Sequence, residues 1–126
     1  MPNYQNSLFD PPAPVAKVTV RNPETGVSLP EVTMLIDSGA DVTLIPQHCA
    51  EELGIIISAP ENYELMGFDG NKMLAPIVRL DLILLGKTFK GNFILIEHDW
   101  GILGRNIINN LSILLDGPRL TWNEQK

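Results

Sequence analysis

Residues 34 to 46, Met-Leu-Ile-Asp-Ser-Gly-Ala-Asp-Val-Thr-Leu-Ile-Pro, constrain this chain more than any other stretch. An apolar run, Val32 to Ile36, delivers the carboxylate of Asp37 into a Ser-Gly turn, and a second apolar run leaves it. Charged side chains are seldom buried unless they are paired or employed in chemistry. Ser38 can hydrogen-bond locally to hold the turn, and Gly39 lets backbone or ligand come close. Such a segment holds one carboxylate rigidly at the floor of a cleft.

The rest of the chain supplies short strands around it. At 126 residues it is long enough for one domain with its own core, and 44% hydrophobic with 19% charged residues argues against global disorder. Ten prolines and ten glycines point to many turns and an all-β architecture. Residues 1 to 14 form a polar, Pro-rich arm, extended or mobile, and residues 15 to 126 form the domain. Strands are expected at Val15 to Val20 and Val32 to Ile36, then a short helix over Pro46 to Leu53 stopped by Gly54. A hairpin over Tyr63 to Leu74 has its tip at Gly67 to Asn71. A second joins Ile77 to Leu85 with Thr88 to Glu97 around Gly86-Lys87. Trp100 to Leu103 reads as one more strand and Asn106 to Leu111 as a helical turn or two. The chain closes with a hairpin around Asp116-Gly117-Pro118.

The Asp37-Ser38-Gly39-Ala40 segment resembles the Asp-Thr/Ser-Gly-Ala signature of the aspartic proteases, in particular their single-domain, retropepsin-like branch. The likeness resumes at Gly101-Ile102-Leu103-Gly104-Arg105-Asn106, which is similar to the apolar-apolar-Gly-Arg-Asn/Asp segment leading into that family's helix. Two motifs in the right order, each preceded by a strand-like run, carry more weight than a lone Asp-Ser-Gly triplet. The resemblance covers roughly residues 15 to 122. It implies an acid-protease half-barrel with one or two short helices, active as a C2 dimer.

What the resemblance implies for chemistry follows from the count of carboxylates. The reaction needs two carboxyls around one water, sharing a proton because like charges in contact resist ionising together; aspartic proteases are the standing example of this effect. One Asp-Ser-Gly per chain means that a second copy must bring the other, so Asp37 from each subunit would meet on a two-fold axis. Ser38, Gly39 and Ala40 would support that turn. Asp41 and Arg105 would form a structural ion pair beside it. Met66, Gly67, Phe68, Asp69 and Gly70 would form a flap closing over an extended peptide. The tip departs from the retroviral pattern in having fewer glycines and in carrying Phe68 and Asp69. The tail beyond Arg105 is also longer than in retroviral proteases, whose termini interleave across the dimer, so the interface is expected to differ. The arm, with Leu8 and Phe9, is a candidate for autoprocessing.

The expected activity is therefore an aspartic endopeptidase with no metal or organic cofactor, acting on polypeptide. The alternative is a non-catalytic peptide-binding or dimerisation module on the same fold, and a weaker rival is a hydrolase using Asp37 as a single base. Neither His48 nor His98 sits in a recognisable Ser-His arrangement, and His48-Cys49 lacks a second pair at zinc spacing. A net charge of -6 disfavours nucleic acid. The lone Cys49 precludes an intrachain disulfide, and no signal-peptide or membrane-spanning run is visible, so the chain is expected to be cytoplasmic.

Overall fold

The computed structural model describes residues 2–56, 62–66 and 72–125, with the backbone alone for 62–66 and 72–74. In chain order the elements are β1 (Tyr4–Gln5), β2 (Ala13–Arg21), β3 (Ser28–Ile36), β4 (Leu44–Pro46), α1 (Gln47–Glu52) and β5 (Asn62–Met66). They continue with β6 (Lys72–Leu84), β7 (Lys87–Ile96), β8 (Gly101–Leu103), α2 (Arg105–Ile108), β9 (Ile113–Asp116) and β10 (Thr121–Glu124). Eight strands form one sheet in the order β1-β2-β3-β8-β4-β7-β6-β5, and an additional β2–β6 pairing curls the sheet on itself. β9 and β10 make a separate two-stranded sheet. Among the described residues no helix is long and apolar enough to cross a membrane.

Period-two patterning explains the curl. Ala16, Val18 and Val20 of β2 are buried while Lys17 is exposed, and Leu80, Leu82 and Leu84 of β6 repeat the pattern. These residues share a core with Met34, Ile45, Phe93, Leu95, Leu103 and Trp122. Where β2 meets β6, Arg21 stands opposite Asp81 and donates to its carboxylate from Nε at 3.0 Å and Nη2 at 2.8 Å. Each buried aliphatic side chain is worth about 1.5–3 kcal/mol, whereas a partly exposed ion pair gives about 1 kcal/mol or less. The closure is therefore held by the aliphatic residues, with the ion pair setting register.

Two features of the hairpins differ from the sequence expectation. The two expected hairpins share one long strand: β6 runs unbroken for 13 residues through Pro76. Pro76 sits where β6 changes partners, its last pairing to β5 being Asn62↔Pro76 and its first to β7 being Ile77↔Ile94. A residue without an N–H is tolerated where one ladder hands over to the next. The β6–β7 turn also falls one residue earlier than expected, at Leu85-Gly86, with φ of 53° and 75°. Gly86 adopts that conformation freely, whereas Leu85 does so under the twist of the flanking strands.

The arm is tied to the domain. Ala13 and Pro14 already belong to β2, and Tyr4 and Gln5 pair with Pro14 and Ala13. Tyr4 N donates to Leu120 O at 2.8 Å and Trp122 N to Pro2 O at 3.0 Å, so the arm also bonds the C-terminal hairpin. Phe9 packs edge-on against Trp100 with ring centroids 4.8 Å apart. Trp122, 2% exposed, anchors the hairpin by donating from Nε1 to Val15 O at 2.8 Å.

Candidate active site

Asp37 is positioned by two segments that are distant in sequence. β3 runs parallel to β8, with Met34, Leu35 and Ile36 beside Gly101, Ile102 and Leu103. The ladder extends one step further, where Asp37 N donates to Leu103 O at 3.1 Å. The chain then turns: Gly39 N donates to Asp37 Oδ1 at 2.9 Å and Ala40 N to Asp37 O at 3.2 Å. Asp and Asn close such side-chain-to-backbone turns readily. Arg105 N donates to Ala40 O at 2.8 Å, which binds the far side of the turn back to the second motif. The half-buried carboxylate of Asp37 is thus fixed by its own turn, while Ser38 and Gly39 are exposed.

Gly104 of the second motif and Thr43, which sequence reasoning did not single out, lock this crossing. A side chain at Gly104 would collide with the backbone of Val42, so only glycine lets the two segments pass. Thr43, 1% exposed, accepts a bond from Gly104 N at 3.0 Å and donates to Asn106 Oδ1 at 2.7 Å. The signal for Thr43 was a hydroxyl inside an apolar run, which needs a partner once buried. Leu35, Leu44 and Ile102 were also missed. Leu35 and Leu44 both stand in register with Ile102, and all three are half-buried. They form an apolar strip across three strands beside Asp37, opposite in parity to the buried Met34, Ile45 and Leu103. That in-out alternation was the available cue.

The expected Asp41–Arg105 ion pair is not formed among the described residues. Arg105 instead donates from Nη1 to the carbonyl of Ser38 at 2.9 Å, and both Asp41 and Arg105 are exposed. Two solvated charges gain only about 0–1 kcal/mol by pairing, too little to displace a bond to a nearby fixed carbonyl. Arg105→Ala should then cost about 1 kcal/mol of stability in urea denaturation, and it should lower any activity that depends on the turn. Of the expected flap, Met66 ends β5 and pairs with Lys72, while Gly67, Phe68, Asp69 and Gly70 lie outside the described residues.

The other candidate groups are placed away from this turn. His48 bonds Glu52 at 3.0 Å on the exposed face of α1, and His98 lies beside Trp100 with ring centroids 5.2 Å apart. Among the described residues no group of three or more His, Cys, Asp or Glu side chains could hold a metal ion. Cys49 is fully buried, and burial, with a smaller contribution from the charge of Glu52, pushes its thiol from 9.0 up to about 11. Thiol reagents at neutral pH should therefore leave native protein unlabelled and react only after denaturation. In the open chain the thiol ionises first, so Cys49 should lower stability as pH rises from about 9 towards about 11 and not below that window.

With the geometry established, the likeness to known proteins can be read. The profile of the family described as gag-polyprotein putative aspartyl protease matches residues 25–110, which span both motifs and most of the sheet. The chain belongs to that family. No curated protein matches it. A retropepsin-like aspartic protease from Rickettsia conorii superposes with a TM-score of 0.62 at 16% identity, covering 97% of this chain and 87% of that one. EIAV protease in complex with the inhibitor HBY-793 gives 0.56 at 19% identity, covering 78% and 86%. The foamy viral protease-reverse transcriptase gives 0.53 at 17% identity, covering 89% of this chain and 12% of that one. The fold is therefore retropepsin-like, as the two motifs led one to expect.

Proposed function

We propose that this chain is an aspartic endopeptidase whose catalytic dyad is two copies of Asp37, one from each subunit of a homodimer. The observation that carries the reading is the Asp37 turn itself. It is rigid, half-exposed and braced by the second family motif, and among the described residues no other carboxyl bonds to it. Sheet topology and family membership support the same assignment.

In this reading the two carboxyls hold one proton between them. The ionised one removes a proton from water as its oxygen bonds to the scissile carbonyl carbon, while the protonated one donates to the carbonyl oxygen. Collapse of the tetrahedral intermediate breaks the C–N bond and passes a proton to the leaving nitrogen. Leu35, Leu44 and Ile102 would favour apolar side chains next to the cleaved bond.

The test is digestion of a mixed peptide library across acidic to neutral pH, read by mass spectrometry. Internal cleavage beside apolar residues, with two ionisations bounding the rate, is the expected result. Folded, dimeric protein that cuts nothing across the library would favour the non-catalytic peptide-binding alternative.

A further inference from the structure

We infer that two copies of this chain join edge to edge along β9, with Leu114 of each on the two-fold axis. This seam rests on the homodimer reading above. The C-terminal hairpin shows which edge is free. Gln125 N donates to Ser112 O at 2.7 Å, and the register pairs Ile113 with Glu124 and Leu115 with Trp122. In an antiparallel ladder, hydrogen-bonded pairs alternate with non-bonded ones. Ser112/Gln125, Leu114/Asn123 and Asp116/Thr121 are therefore the bonded pairs, and the backbone groups of Ile113, Leu115, Leu120 and Trp122 face outward.

The two outward edges are not equivalent. On β10, Leu120 O and Trp122 N are taken by Tyr4 N and Pro2 O of the chain's own arm. That edge cannot accept a partner's terminus without first losing the arm. On β9, the outward N–H and C=O groups of Ile113 and Leu115 have no partner among the described residues. The same strand exposes Leu114 (49%) and Leu115 (50%), and Leu120 at the adjoining turn is 41% exposed. A lone two-stranded hairpin is marginal, and an apolar open edge invites another strand.

The occupant is a second copy because a two-fold makes this edge complementary to itself. Ile113 of one chain would exchange both backbone bonds with Leu115 of its mate, and the reverse. Leu114 would face its own symmetry mate as a non-bonded pair about 4.5 Å apart at Cα. The result is a four-stranded sheet, β10-β9-β9-β10, in place of interleaved termini.

That separation lies within the ~4.4–6.8 Å that a disulfide spans, and the native thiol, Cys49, is buried. Under mild oxidation, Leu114→Cys should give a covalent dimer in high yield, with the linked peptide identified by mass spectrometry. Val27→Cys, 50% exposed in the turn between β2 and β3, should give little. The linked Leu114→Cys dimer should keep its peptidase rate on dilution, where wild type loses it. Equal yields from the two variants, or a Leu114→Cys protein that stays unlinked while wild type is dimeric by light scattering, would place the interface elsewhere and leave the dyad reading standing. Asp37-dependent cleavage by a strictly monomeric wild type would overturn the seam and the dyad together.

Discussion

Asp37→Asn should abolish peptidase activity while leaving the fold and the dimer intact. The loss should be at least the ~10²–10⁴-fold that a general base contributes, because both dyad positions change together in a homodimer. The structure makes this substitution a clean one. Asp37 Oδ1 accepts the Gly39 N–H at 2.9 Å, and an amide oxygen can accept the same bond and hold the same turn. The midpoint of thermal unfolding should hence stay close to wild type. Asp37→Ala, by contrast, removes that bond and should cost about 0.5–1.5 kcal/mol as well. Peptide cleavage and circular dichroism on the two variants separate chemistry from turn geometry. An active Asp37→Asn protein would mean that another group does the chemistry.

Gly104→Ala should be strongly destabilising for a change of a single methyl group. The added carbon would overlap the backbone of Val42, and backbone held in a crossing cannot rotate away as a flexible side chain can. Overpacking of a tight site costs typically 1–3 kcal/mol and more where nothing yields, so about 3 kcal/mol or more is expected. Against a total stability of about 5–15 kcal/mol, this is a large fraction. The same strain would push apart the Thr43–Gly104 and Ala40–Arg105 bonds that brace the Asp37 turn. Activity should fall beyond what unfolding alone explains. Gly117→Ala is the control, since a carbon there meets nothing within 4 Å, and urea denaturation should not distinguish it from wild type.

How far the sequence announces this structure depends on the kind of interaction. Asp37, its turn and the Gly104 motif were legible because each is built from a few residues whose chemistry is local: an acid, a turn former, a glycine between apolar runs. The alternation in β2 and β6 was legible for the same reason. Pairing partners were not. That Pro76 marks a change of neighbours, rather than a break, depends on which strands flank β6, and no local rule encodes that. Arg105 bonding the Ser38 carbonyl instead of Asp41 turns on side-chain placement in an exposed turn, which no local pattern encodes. The arm misled for a related reason. Its Pro-rich composition predicts an extended or mobile arm; Tyr4 and Gln5 fold back to pair with Pro14 and Ala13, and further partners are Leu120 and Trp122 at the other end of the chain. The Leu35–Ile102–Leu44 strip was hidden by composition, because a half-buried aliphatic residue reads like any core residue until its neighbours are known.

The central claim is that one active site takes one Asp37 from each of two chains. Mixing wild type with Asp37→Asn tests it most directly, at concentrations where both dimerise and with wild type held constant. If each site needs both acids, an equal amount of Asp37→Asn should cut the rate to about half and a large excess should extinguish it, as subunits exchange into mixed dimers. If one chain carries a complete site, the rate will not change at any ratio, and the shared dyad is wrong.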